Sequence, residues 1–402
     1  MSFGEVFAGV RIVELAQYVY VPGATVLMAD HGAEVIKVEP PGVGDPYRNL
    51  QIGAVSDVGS VSLPMEQNNR GKKSIALDLK RSEGREALLR LIESADVFVT
   101  SLRPKAIVEL GLDVDNLRAR NPKIIYVRGN GLGFKGEEAN KPGFDASAFW
   151  ARGGLCYALT RPGQPATSPR PAMGDHSGSM AIAFGIASAL YRLKATGEPT
   201  VVENSLLSTA LWILSSDVTY SQAPGYQTHS DAPVRSPLMN TYSTRDGRLI
   251  QLMLLNPDPY WRSFCVLVGL EALVDDERFN SNAARMKNAS DLIALIQDRL
   301  GSKDWAEWQA DFDRWEAPWE LIREITELPE DPQVLANEMV FDREAGGERI
   351  LLVSGPTSFD GRASPSHSQG SPELGADTQT LLSDLGYTAE QIDDLRASGA
   401  IG

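Results

Sequence analysis

Val10-Arg11-Ile12-Val13-Glu14-Leu15, then a run from Pro22-Gly23 to His31, then Gly32 followed by Ala33-Glu34-Val35-Ile36-Lys37-Val38-Glu39: this opening stretch decides the fold. The two β-branched segments read as strands. The segment between them reads as a helix, with Pro near its start and Gly just past its end, where a helix accepts each. The alternation then repeats. Ser74 to Asp78 reads as a strand and Ser82 to Ser94 as a helix whose Leu88, Leu91 and Ile92 share a face. Asp96 to Thr100 and Ile124 to Val127 read as further strands. Strands separated by helices imply βαβ units, hence an α/β fold with a mostly parallel sheet that binds ligands at its strand C-terminal ends. No G-x-G-x-x-G follows the first strand. Gly129-Asn130-Gly131-Leu132-Gly133 fits neither a dinucleotide fingerprint nor a P-loop, so no nicotinamide cofactor is expected.

The 402 residues exceed one ordinary core. Residues 1–222 are expected to form a large domain, 223–330 a smaller α+β domain, and 331–402 a connector with a C-terminal part. The smaller domain opens on a loop-like stretch, Ala223 to Pro237. A hairpin (Asn240–Thr244 and Leu249–Leu252) comes next, then helical segments at Leu292–Leu300 and Trp305–Trp319. Ser354 to Gly375 reads as an extended connector and Asp377 to Leu395 as the last helix. A net charge of -15 argues against a nucleic-acid partner and against a polybasic membrane anchor. No signal peptide opens the chain, and no apolar run reaches the ~20 residues that span a bilayer, so a soluble cytoplasmic protein is expected. Neither the two cysteines, Cys156 and Cys265, nor the four histidines show metal-ligand spacing, and no metal is expected. Trp305, Trp308, Trp315 and Trp319 read as core.

The residue with the most chemistry to offer is Asp175, in Met173-Gly174-Asp175-His176-Ser177-Gly178, just before an apolar helical stretch from Met180 to Leu193. A helix start presents free N–H groups and the positive dipole end, which favour an ionised carboxylate. Such a residue is a helix cap or a nucleophile for acyl transfer, and the local sequence allows both.

Several blocks in order resemble the CaiB/BaiF family, the class III coenzyme A transferases and their racemase relatives. They are Gly9 to Leu15 with Pro22-Gly23 and Gly32 to Glu39, Asn69 to Lys80, Ala95 to Val99 with Arg103-Pro104, Leu110-Gly111-Leu112, Asn121-Pro122, Gly174-Asp175, Asp246-Gly247-Arg248 and the tail from Leu374 to Ile401. The resemblance implies a Rossmann-like large domain built from the N-terminal half and the C-terminal tail, a smaller domain between them, and an interlocked homodimer. It implies acyl-coenzyme A and carboxylic acid substrates, with Asp175 as the nucleophile that carries an anhydride and then a thioester. It also places Val19, Leu77, Lys80, Ser101, Leu102, Arg103, Phe144 and Asp145 around coenzyme A, with Lys80 and Arg103 toward its phosphates.

The racemase branch needs an acid–base His in a Gly-His-Asp motif, and here that motif is Gly143-Phe144-Asp145. His176 is expected to be structural, because neighbours on a helix point about 100° apart. A catalytically degenerate acyl-coenzyme A binder is the remaining alternative. Pro40, Glu109 and Val21 depart from the family pattern, and no glycine-rich loop lies between Ser230 and Asn240. Phe144, Phe149, Trp150 and Tyr157 near the site suggest medium, branched or cyclic acids rather than formate or oxalate, since apolar walls gain roughly 0.8 kcal/mol for each CH₂ they desolvate.

Overall fold

Six strands form one sheet in a computed structural model that describes residues 5–50, 57–229, 236–363 and 369–402. They are β1 (Arg11–Leu15), β2 (Glu34–Glu39), β3 (Lys73–Ala76), β4 (Val97–Thr100), β5 (Ile125–Asn130) and β6 (Val201–Ser205). The spatial order is β3-β2-β1-β4-β5-β6, and every neighbouring pair is parallel. In β1, Ile12 and Val13 alternate between the two faces, and each enters a separate apolar cluster. Helix α1 (Pro22–Asp30) covers the Ile12 face together with a long helix, α2 (Met173–Thr196). Leu88, Leu91 and Ile92 from the helix Ser82–Glu93 cover the Val13 face.

The chain end returns to that same face. Leu381, Leu382, Ile392 and Leu395 join the Val13 cluster, and Ile401 bridges to Leu77. The single helix expected from Asp377 to Leu395 is two, Thr378–Asp384 and Ala389–Ala397. Gly386 takes φ 85° between them, and the Thr388 side chain accepts the Gln391 N–H to start the second.

The chain divides into two compact units, one of residues 1–228 with 332–402, the other His229–Asp331. The second has an antiparallel sheet of β7 (Thr241–Ser243), β8 (Leu249–Leu252) and β9 (Trp319–Leu321), with β8 central. Its core gathers Trp261, Phe264, Ile296, Trp308 and Phe312. The helix expected to run from Trp305 to Trp319 stops at Asp313, and Trp319 opens β9. In the first unit a hairpin of β10 (Val340–Ala345) and β11 (Glu348–Val353) stands where no strands were expected, turning on Gly346 and Gly347 at φ 57° and 81°. The loop read at Ala223–Pro237 and the connector at Ser354–Gly375 run in part through 230–235 and 364–368, outside the described residues. Among the described residues no helix is long and apolar enough to cross a membrane.

Candidate active site

The strand order reverses direction between β1 and β4, which is where an open parallel sheet leaves a crevice. A cavity of about 360 Å³ occupies that place. Gln17, Tyr18 and Tyr20 after β1, Ser101 to Arg103 after β4, and Gly129 to Gly131 at the end of β5 form its walls, and Asp175 joins them from α2. The glycines of β5 serve packing. A Cβ on Gly129 would lie 2.8 Å from Val21 and one on Gly131 2.7 Å from the Gly143 backbone, so the strand end and the 143 loop meet only without side chains.

Asp175 is inside α2, in its first turn, and is not the residue that caps it. That role falls to Asp145, whose Oδ1 accepts the Gly174 N–H at 3.0 Å and whose carboxylate also draws on the Met173 N–H. The helix-start donors expected to keep Asp175 ionised are therefore engaged elsewhere. Burial, and secondly the Asp145 charge, push the Asp175 carboxyl up to about 7. Gly174 makes the arrangement possible, because a Cβ there would stand 2.2 Å from Phe149 Cγ and 2.4 Å from Asp145 Oδ1. The Tyr47 hydroxyl is pushed up to about 12, by burial first and then by Asp175, and the Tyr20 hydroxyl rises further for the same reasons.

The loop after β1 is set by buried charges. Glu14 binds Lys37 at 2.8 Å and Lys72 at 2.9 Å, all three fully buried, and Lys37 reaches on to Asp45 at 2.8 Å. Asp45 Oδ1 accepts the backbone N–H of Tyr18 at 3.1 Å and of Tyr47 at 2.9 Å. Next to this chain, Glu39 accepts the Asp45 N–H and pairs with Arg48. The two lysines hold the Glu14 carboxyl down to about 2 against its burial.

Of the residues expected around coenzyme A, Ser101, Leu102, Arg103 and Phe144 line the cavity with Asp175. Asp145 stands behind Asp175 as the clip on α2. Val19 is buried against Tyr47 and Met65, and Leu77 is buried in the Val13 cluster; neither side chain lines the cavity. Lys80 is exposed, its N–H bonded to Asp78, and does not line the cavity either. His176 is exposed at the surface but turns its ring to Asn68, with Nε2 3.0 Å from Oδ1; partial desolvation there, and secondly the Arg70 charge, disfavour its protonated form. Of the four aromatics, only Phe144 faces the cavity: Phe149 and Trp150 are core, and Tyr157 is exposed. The stretch Ser230–Asn240 lies partly outside the described residues. Sequence reasoning passed over Tyr18, Tyr20, Asn130 and Lys141 on the cavity wall. Their signal was position alone, at or after strand ends in a parallel sheet.

A profile of CoA-transferase family III matches residues 7–378. The chain is 31% identical over 395 residues to an (R)-2-hydroxy-4-methylpentanoate CoA-transferase of Clostridioides difficile, covering 98% of each. It is 33% identical over 403 residues to a cinnamoyl-CoA:phenyllactate CoA-transferase of Clostridium sporogenes, covering 97% of this chain and 95% of the relative. A crystal structure of a CAIB/BAIF family protein from Brucella suis superposes with a TM-score of 0.81 at 26% identity, over 94% of this chain and 99% of the other.

Proposed function

The chain belongs to CoA-transferase family III and is an enzyme of the CoA-transferase class; on that premise we propose that Asp175 carries the acyl exchange. Its carboxylate attacks the carbonyl of a donor thioester, the C–S bond breaks, and an aspartyl–acyl anhydride forms as coenzyme A thiolate leaves. The thiolate then attacks the aspartyl carbonyl, giving an aspartyl thioester and the free donor acid. An acceptor carboxylate repeats both steps in reverse, leaving with coenzyme A and restoring Asp175. The observation that carries this reading is an acid on the wall of the switch-point cavity, with no cation paired to it among the described residues. Arg103 and Lys141 on the same wall supply positive groups for the phosphates of coenzyme A.

Apolar branched or aromatic acids belong to the same proposal. The relatives are named for a branched 2-hydroxy acid and for aryl acids, and Phe144 and Tyr18 give this cavity aromatic walls. A cytoplasmic, interlocked homodimer completes the reading. The subunit interface in that reading is supported by an apolar stripe on α2 and the helix Leu206–Ile213, where Phe184, Tyr191 and Trp212 are 74%, 76% and 78% exposed; the stripe bears on the interface alone, not on interlocking or location. The test is covalent trapping: hydroxylamine added during turnover, followed by peptide mass analysis, should modify Asp175, and Asp175→Ala should abolish exchange. Turnover surviving in Asp175→Ala removes the mechanism.

A further inference from the structure

Tyr18 has φ 64°, in the left-handed region where an aromatic residue is strained. Four described non-glycine residues take such angles. Two of them, Tyr18 and Ala172, pack on the same small cluster of Val19, Tyr47 and Met65 beside the cavity. The strain at Tyr18 is held in place. Its N–H donates to Asp45 Oδ1, whose other oxygen is fixed by Lys37, itself fixed by Glu14, with no solvent reaching the ion pairs. A turn clamped by buried charge keeps its geometry better than one held by surface contacts.

The clamp aims the ring. Tyr18 meets Phe144 edge to face, with centroids 5.5 Å apart and planes at 87°, and it meets Tyr47 at 6.2 Å. Both Tyr18 and Phe144 face the Asp175 cavity, and Phe144 remains 60% exposed. An edge-to-face pair beside a cavity leaves aromatic surface open to a third apolar group. We propose that Tyr18, positioned by Asp45, forms with Phe144 the wall that selects the acyl group, taking branched or aromatic acyl chains of the thioester bound at Asp175. This rests on the function proposed above and goes further by naming the selecting residue and the one that aims it.

The test compares 3-phenylpropanoyl-coenzyme A with acetyl-coenzyme A. Tyr18→Ala should lower the kcat/KM ratio of the aromatic to the acetyl donor by ~10-fold, the worth of one aromatic contact, while Tyr18→Phe, which keeps the ring, should hold the wild-type ratio. A ratio unchanged in Tyr18→Ala, including equal losses for both donors, overturns the proposal. Kd values for the same two thioesters are measured in parallel in the Asp175→Ala background with and without Tyr18→Ala. A shifted Kd ratio supports the Tyr18 wall whether or not Asp175 is the nucleophile, whereas failure of the nucleophile reading shows as exchange surviving in Asp175→Ala. Asp45→Asn should move the ratio in the same direction, and Asp45→Asn with Tyr18→Ala should lose no more selectivity than Tyr18→Ala alone. Additive losses would remove Asp45 from the proposal.

Discussion

Replacing Asp175 by Asn should make the protein more stable, and more so as pH rises. The wild-type carboxyl moves from an ordinary 3.8 to about 7 on folding, because burial and Asp145 both disfavour its charge. A carboxyl with a raised folded value contributes stability that is fully present below about pH 3.8 and is lost as pH climbs through about 7. The whole loss is about 4 kcal/mol, at roughly 1.4 kcal/mol for each pH unit of the gap. Between about pH 5 and about pH 8 it amounts to about 2.7 kcal/mol, reduced by the part of the side chain that water still reaches, so we expect ~1–3 kcal/mol. Asparagine has no charge to bury and escapes that loss. The assay is urea unfolding of both proteins across this pH range, reading the difference in unfolding free energy. The variant's advantage should grow with pH by that amount. An advantage independent of pH, or a variant that weakens relative to wild type at the alkaline end, refutes the claim that this carboxylate is destabilised in the fold.

The same electrostatics set the rate profile. With an ionised Asp175 as the attacking group, kcat/KM should rise with pH to a plateau with a midpoint near about 7, and Asp145→Asn should move that midpoint down by up to about one pH unit, since Asp145 is the smaller of the two causes; a pH series of initial rates for the two proteins checks both. Gly174→Ala should destabilise by about 1–3 kcal/mol and remove most exchange, because its Cβ would overlap Phe149 and Asp145; thermal melting and the exchange assay read the two effects separately.

The fold was largely legible because its elements carry their own signals. The Pro22 start, the Gly32 stop and the β-branched runs on either side are local chemistry, and the elements formed within a residue or two of where they were read. The hairpin at 340–353 carries one local signal, the Gly346-Gly347 turn, but its flanks Val340-Phe341-Asp342-Arg343-Glu344-Ala345 and Glu348-Arg349-Ile350-Leu351-Leu352-Val353 do not alternate, so neither reads as a half-buried strand. The site was legible only in part. Asp175, Phe144 and the 101–103 turn follow from the family resemblance and the rule that ligands sit at strand ends. Exchange of roles between Asp145 and Asp175 could not be read, because both suit a helix start and only the three-dimensional path decides which one reaches the Gly174 N–H. Val19 and Leu77 show the converse: a position can match a family pattern while its side chain is turned into the core. Tyr18 was hidden because a left-handed tyrosine is imposed from outside, by an ion-pair chain whose members lie far apart in sequence.

The raised Asp175 value also bears on which way the proposed anhydride opens. The buried charges beside the crevice pair among themselves, Glu14, Glu39 and Asp45 with Lys37, Lys72 and Arg48, and among the described residues none of these cations is paired with Asp145 or Asp175. In the anhydride, thiolate attack at the substrate carbonyl expels Asp175, whereas attack at the aspartyl carbonyl expels the substrate acid. In water a substrate carboxylic acid has the ordinary carboxyl value of about 4, whereas burial and then Asp145 push the Asp175 carboxyl up to about 7. The weaker base leaves more readily, so the site's own electrostatics bias the collapse toward release of the donor acid and retention of coenzyme A on Asp175. A carboxylate made more basic by burial and by its neighbour is thus the better nucleophile in the first step and the poorer leaving group in the second; both properties favour loading of coenzyme A onto Asp175, and the acceptor half, in which Asp175 must leave, works against the same bias.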